Sequence, residues 1–236
     1  MKRSRITLLI LLLLGLGATC SRAPIVPKND KIWLHRANWI EKAQQFQYDY
    51  AGLEIDVVFD DTTGTFFVKH DTTDHSFLLL DDWCASLDNI GAIGVWFDVK
   101  NLNHHNSEEA LRCLSALREK YQMQGKLVVE SAAYNELKAF DTSGFVASFY
   151  IPYFNPDSVD SLQYKHITKT IRNAIDSGIT HISGYDFQYE YLKREFPNQP
   201  KLLWTIYTDK DYQAKWIKRM SKDPTVEILL LPNENY

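Results

Sequence analysis

The chain has 236 residues, 45% hydrophobic and 24% charged, with 26 Lys and Arg against 30 Asp and Glu. This balance excludes a disordered, collagen-like or disulfide-scaffold protein. Beyond residue 20 the charge is 23 basic against 30 acidic side chains, a formal −7 without a basic stripe, so no nucleic-acid partner is expected.

Lys2, Arg3 and Arg5 precede an uncharged run from Ile6 to Ala18, and small residues then lead to Cys20. That is the three-part layout of a secretory signal, and its uncharged run of 13 residues falls short of the ~20 needed to span a bilayer. Gly17-Ala18-Thr19-Cys20 resembles a bacterial lipobox, with Cys20 as the residue to be lipidated. Residues 1–20 are therefore read as a lipoprotein-type signal peptide, 21–30, with Pro24 and Pro27, as a tether, and 31–236 as one domain. The expected location is the bacterial envelope, exported and held at the membrane by a lipid anchor, with the chain acting as a monomer. Cys84 and Cys113 would then lie where a disulfide can persist, and a bridge and two buried thiols remain equal alternatives.

Strand-like apolar runs follow at Lys31–His35, Gly52–Phe59, Phe66–His70, Gly94–Val99, Lys126–Glu130, Val146–Ile151, His181–Gly184, Leu202–Tyr207 and Val226–Leu231. Helix-like stretches between them include Ser107–Tyr121, Ser161–Asp176, Tyr189–Phe196 and Asp211–Met220. In the first of these, Ser107 to Glu109 supplies a cap and first-turn acids, and Leu111, Leu114 and Leu117 recur on one face. Asp60, Asp61 and Gly64 read as the turn of a hairpin that makes Phe66–His70 a partner of the preceding strand. Eight strands remain. Mostly apolar and alternating with helices, they predict a small (β/α)8 TIM barrel without a cap insertion. An open doubly wound sheet is the rival, disfavoured because no Gly-rich turn follows the first strand.

The polar residues of those strands fall in a pattern. Residues two apart in a strand share a face, so Glu54 and Asp56 point one way while Leu53, Ile55 and Val57 point the other. Asp98 and Lys100 repeat the arrangement at the end of their strand. His35 and Arg36 end the first strand, and His70 ends the hairpin. Any one of these could be half of a structural ion pair. Together they gather at strand C-termini, the end where barrel enzymes build their sites.

Three carboxylates without a Cys/His cluster at zinc spacing suit a hard divalent ion, Mg2+ or Ca2+. Arg36 and Lys100 would add charge against a phosphoryl group, and two histidines offer an acid and a base. The sum is metal-assisted phosphoester cleavage.

His35-Arg36, Glu54-Ile55-Asp56-Val57, Val68-Lys69-His70-Asp71 and the acid two before Lys100 resemble, in this order, the glycerophosphodiester phosphodiesterase family of phospholipase-C-like barrels. Trp204-Thr205-Ile206-Tyr207 is similar to that family's Trp-Thr strand, extending the likeness from about residue 31 to the end. The resemblance implies that Glu54, Asp56 and Asp98 bind the metal, that His35 and His70 act as base and acid in either order, and that Arg36 and Lys100 hold the phosphate. It places Trp204 at the pocket. The implied substrate is a small glycerophosphodiester or a lysophospholipid-like phosphodiester. Three positions depart from the family pattern. Ala37 stands where Gly is usual, and Asp98 replaces the usual Glu, as in the sphingomyelinase D branch. Leu229-Leu230-Leu231-Pro232 lacks the usual Thr-Asp before the proline. The short span from His70 to Asp98 leaves no room for the cap of glycerol-specific members.

Glu130 at the fourth strand end is a further pocket candidate, and Asp186 after the sixth is another, with ordinary barrel-rim roles as alternatives. Tyr150, Tyr153 and Phe154 suit either an apolar pocket wall or core and surface packing. His104 and His105 read as a solvated loop pair. A different class of function, an envelope lipoprotein that binds a phosphate-containing ligand on a barrel without turnover, shares the same metal site.

Overall fold

The computed structural model describes residues 29–233, so the signal expected over residues 1–20, Cys20 and all but the last two residues of the tether lie outside it. The chain opens with β1 (Ile32–Leu34), α1 (Ile40–Phe46), β2 (Gly52–Asp60), β3 (Thr65–Val68), α2 (Leu80–Ala85) and β4 (Gly94–Val99). It continues through α3 (Ser107–Lys120), β5 (Leu127–Ser131), α4 (Tyr134–Thr142), β6 (Val146–Tyr150), α5 (Ser161–Asp176) and β7 (His181–Tyr185). After a short 3-10 turn at Asp186–Gln188 come α6 (Tyr189–Glu195), β8 (Lys201–Trp204), α7 (Lys210–Met220) and β9 (Val226–Leu231).

Eight of these strands are parallel and close into a barrel, because β1 pairs with β9 on one side and β2 on the other. The ninth, β3, lies antiparallel on β2 with Val68 opposite Val57. Asp60 Oδ1 accepts the Thr62 and Thr63 N–H groups at 2.8 and 3.1 Å, which closes the turn of that hairpin. The fold is thus the small (β/α)8 barrel that the alternation implied. Among the described residues no helix is long and apolar enough to cross a membrane.

Alternation along each strand sorts the core into two layers. Leu53, Ile55, Val57, Val95, Phe97, Val99, Leu203 and Leu229 face the helices in the larger apolar cluster. Trp33, Trp96, Val128, Leu202, Trp204, Ile228 and Leu230 fill the barrel's interior. Trp33 fits there only because its neighbours are glycines. A Cβ on Gly52 would lie 2.2 Å from the Trp33 ring, and one on Gly94 2.4 Å from it.

Some local expectations shift. Ser107 does not cap α3: it is the first helical residue, Asn106 holds the cap position, and the Ser107 hydroxyl donates to Glu136 at 3.1 Å. The strand expected to reach Tyr207 stops at Trp204, since Thr205 turns the chain by accepting the Tyr207 N–H on its hydroxyl at 3.2 Å. Helices α1, α2 and α4 were not picked out in the sequence, and in each the N-cap residue makes no side-chain cap hydrogen bond. Cys84 and Cys113 are both free thiols.

Candidate active site

At the C-terminal mouth, β2 and β4 run in register with Asp56 opposite Asp98, and Asp98 lies opposite Glu130 on β5. Oxygens of Glu54, Asp56 and Asp98 all lie within 4.8 Å of one another. Like charges this close need compensation, and Lys100 supplies part of it. Its ammonium lies 2.7 Å from Asp56 Oδ1 and also pairs with Asp98. Burial works against the Lys100 charge, but the two carboxylates outweigh it and hold the side chain firmly protonated. Asp56 is held below its usual range: burial pushes upward, while Lys100 and a hydrogen bond from Asn38 pull further down. Glu54 is pushed well above its usual range by burial first and then by the Asp56 and Asp98 charges. Burial raises Asp98 too, against the pull of Lys100. Glu54 and Asp98 are thus pushed toward their protonated forms, because full ionisation would leave more negative charge than Lys100 neutralises. An all-oxygen donor set of this kind fits a hard divalent cation, with Glu54, Asp56 and Asp98 as the residues that would hold it.

The turn after β1 is tied to this cluster. Arg36 adopts a left-handed backbone, φ 55°, which is uncommon for a residue with a Cβ. Two hydrogen bonds secure it: the Arg36 N–H donates to Glu54 Oε2 at 2.6 Å and the Ala37 N–H to the Glu54 carbonyl at 2.7 Å. Ala37 is buried, and its carbonyl accepts the Trp83 indole N–H at 2.8 Å. His35 then sits with Nε2 3.8 Å from Glu54 Oε2. Burial, with the Arg36 charge behind it, lowers His35 from 6.5 to about 3, so its imidazole is neutral. His70 is half-exposed at the rim, with Nε2 3.1 Å from the Arg36 guanidinium.

The other half of the mouth is aromatic. Trp204 meets Tyr185 at 5.0 Å, Tyr150 at 5.2 Å and Trp96 at 6.3 Å between ring centroids. Together with Ile206 and Leu230 they complete a cavity of about 320 Å3. Its charged lining residues all come from the β1 to β5 side. Of these, Glu130 is buried and pushed well above the carboxylate range by that burial and then by Asp98, with Lys100 pulling the other way.

His35, Arg36, Glu54, Asp56, His70, Asp98, Lys100, Glu130, Tyr150 and Trp204 thus line one cavity. Other candidates lie elsewhere. Asp186 is buried beneath the rim and accepts the Tyr212 hydroxyl at 2.6 Å, Phe154 packs in the core against Tyr191 at 4.8 Å, and Tyr153 is exposed outside the cavity. His104 and His105 lie against one another at 3.7 Å on their loop. Trp96, Tyr185 and Asn38 were not identified from the sequence. Trp96 precedes Asp98 by two and so shares its face, a signal the alternation carried. Tyr185 shows only as an aromatic at a strand end, and Asn38 carries no pattern.

A closed (β/α)8 barrel with acids, cations and histidines at its mouth defines the class of architecture, and solved structures agree. A phosphodiesterase from Oleispira antarctica, in complex with its product sn-glycerol-3-phosphate, superposes with a TM-score of 0.55 at 11% identity, over 86% of this chain and 92% of that one. A protein assigned as a glycerophosphoryl diester phosphodiesterase from Silicibacter pomeroyi gives 0.55 at 15% identity, over 89% and 90%. One assigned as a glycerophosphodiester phosphodiesterase from Galdieria sulphuraria gives 0.57 at 14% identity, over 87% and 94%. Neither a family model nor a curated protein sequence matches the chain. At these identities the likeness is one of fold: the chain shares a (β/α)8 barrel with these phosphodiesterases.

Proposed function

We propose that the chain is a metal-dependent phosphodiesterase acting on glycerophosphodiesters or related phospholipid-derived phosphodiesters. The observation that carries this reading is the meeting of Glu54, Asp56 and Asp98, within 4.8 Å of one another, with two cations and two histidines in one cavity. The resemblance of the same motifs to that family supports it, as does the fold shared with a phosphodiesterase bound to sn-glycerol-3-phosphate.

A divalent ion held by Glu54, Asp56 and Asp98 would supply Lewis-acid polarisation of a phosphoryl oxygen. Arg36 and Lys100 would meet the charge that builds on the other phosphoryl oxygens, the term that commonly dominates such reactions. His35, neutral and buried, is in the state that accepts a proton from an attacking hydroxyl. His70 is then left to donate one to the departing alkoxide, each step contributing ~10²–10⁴-fold. An envelope location, with Cys20 lipidated, belongs to the same proposal.

The test is turnover of bis(p-nitrophenyl) phosphate and glycerophosphocholine with Mg2+ or Ca2+. Turnover should vanish with EDTA, return with added ion, and be abolished by His70→Ala. A folded, metal-loaded protein inert on a broad phosphodiester panel would sink the reading.

A further inference from the structure

Among the described residues, every large apolar side chain left exposed lies at the mouth end of the barrel. Trp39 lies between β1 and α1, and Phe77 between β3 and α2. Tyr153 follows β6, Phe187 follows β7, and Ile206 and Tyr207 follow β8. The remaining two, Leu162 and Tyr212, are in the first turns of α5 and α7, which begin at that same end. Among the described residues, the opposite end, where helices hand back to strands, exposes none of this kind. Scattered exposed apolar residues are normal, but confinement of all of them to one face is not.

This rim is continuous with the cavity. Trp204 lies 5.0 Å from Tyr185, Tyr185 stacks on Phe187 at 5.1 Å, and Phe187 meets Tyr153 at 5.9 Å. Rings thus lead from a nearly buried Trp204 to a Tyr153 that is 67% exposed. The cavity is divided in the same sense, with every ionic group on the β1 to β5 side and, apart from Trp96 on β4, the aromatic residues Tyr150, Tyr185 and Trp204 on the β6 to β8 side. Half of the exposed set is Tyr or Trp, whose amphipathic rings favour the boundary between water and hydrocarbon.

We propose that the mouth face seats on a phospholipid surface, and that the aliphatic part of a lipid phosphodiester follows the Trp204–Tyr185–Phe187 track while its phosphate reaches the acidic half. A protein seated on this rim would cap the cavity, whereas a lipid surface delivers a phosphodiester into it. Both parts of this inference rest on the phosphodiesterase reading, because it is the phosphodiester delivered to the cavity that favours a lipid surface over a protein on this rim.

The test uses the full chain with phosphatidylcholine vesicles whose acyl chains carry bromine, which quenches tryptophan on contact. Quenching is expected and should be largely lost in Trp39→Phe. The double variant Tyr153→Ser/Tyr207→Ser should partition onto vesicles about tenfold or more weakly, because two large rings no longer leave water. Its turnover of soluble bis(p-nitrophenyl) phosphate should be unchanged while turnover of lysophosphatidylcholine falls. Residues 1–28 are common to all variants, so attachment through them cannot create these differences. Absence of quenching, or equal partitioning of the double variant, would overturn docking. So would a concentration-dependent dimer, by light scattering, that the double variant dissolves. Glycerophosphocholine turned over as fast as lysophosphatidylcholine would overturn the lipid-substrate assignment. Quenching without turnover of any phosphodiester would sink the enzyme reading while docking stood as measured, and soluble turnover without quenching would sink docking alone.

Discussion

Asn38 and Asp56 hold each other through two hydrogen bonds: the Asn38 amide donates to Asp56 Oδ2 at 2.7 Å, and its carbonyl accepts the Asp56 backbone N–H at 3.0 Å. Lys100 takes the other carboxylate oxygen at 2.7 Å. Asp56 is therefore fixed in orientation and kept ionised before any ligand arrives, although it is buried among acids. Groups that orient a metal ligand in this way usually contribute about 10–100-fold to affinity. Asn38→Ala is expected to weaken Mg2+ or Ca2+ binding by roughly that factor, with Asn38→Asp worse because it adds a charge. Isothermal titration of the EDTA-stripped protein checks this, and unchanged affinity in Asn38→Ala would show that Asp56 needs no second partner.

Glu130 predicts a pH dependence of stability. Its carboxyl titrates well above its ordinary 4.5, because burial and then the nearby Asp98 disfavour its charge. In the window between the ordinary value and the raised one, the folded chain holds a proton that the unfolded chain has released. This group's contribution is therefore favourable at low pH and is lost as pH rises through that window. Glu130→Gln removes the term. In metal-free protein the variant should melt close to wild type near pH 4.5 and higher at pH 8, by about 2–4 °C for each kcal/mol recovered. A gap between the two melting curves that does not widen with pH would mean that Glu130 ionises freely. Added Mg2+ or Ca2+ should raise the wild-type melting temperature in proportion to the logarithm of its concentration over Kd.

The sequence made the barrel legible because each strand is a nearly unbroken apolar run, which a strand covered on both faces requires. The acids of the site were legible for the same reason: Glu54, Asp56 and Asp98 interrupt such runs with a period of two. What escaped were features with no local mark. Helices α1, α2 and α4 are short and lack side-chain caps, so packing against the barrel defines them rather than end signals. Asn38 matters only through a partner 18 positions away, and the ring track from Trp204 to Tyr153 joins three separate strand ends.

Gly52 tests the barrel floor. Strand β2 has glycine at the level where Trp33 crosses the interior, and a Cβ there would sit 2.2 Å from the ring. Neither the strand nor the indole has room to yield, because Gly94 meets the same ring from β4. Gly52→Ala is expected to destabilise the protein by roughly 1–3 kcal/mol or more through overpacking. A smaller ring should relieve part of the clash, so Trp33→Leu combined with Gly52→Ala should be more stable than the sum of the single changes allows. Strict additivity in urea melts of the double-mutant cycle would contradict the steric account.

The thiols give a prediction that depends on neither metal nor substrate. Cys84 lies on the inner face of α2, fully covered, and burial with the Asp81 charge pushes its thiol up to about 12. Cys113 on α3 is only partly covered, and its thiol is also raised, chiefly by burial. The thiolate is the reactive form, so both should be slow toward Ellman's reagent at pH 8 in the folded protein, with Cys84 the slower because the reagent must also reach it. Unfolding in guanidinium should release both to react at the rate of a free cysteine. Cys84→Ser would place a hydroxyl in an apolar layer beside Trp83 and Leu80 and is expected to destabilise, whereas Cys113→Ser should be tolerated. Rapid labelling of Cys84 in native protein would show that α2 opens from the barrel, so that the covered face of this short, uncapped helix is not held shut in solution.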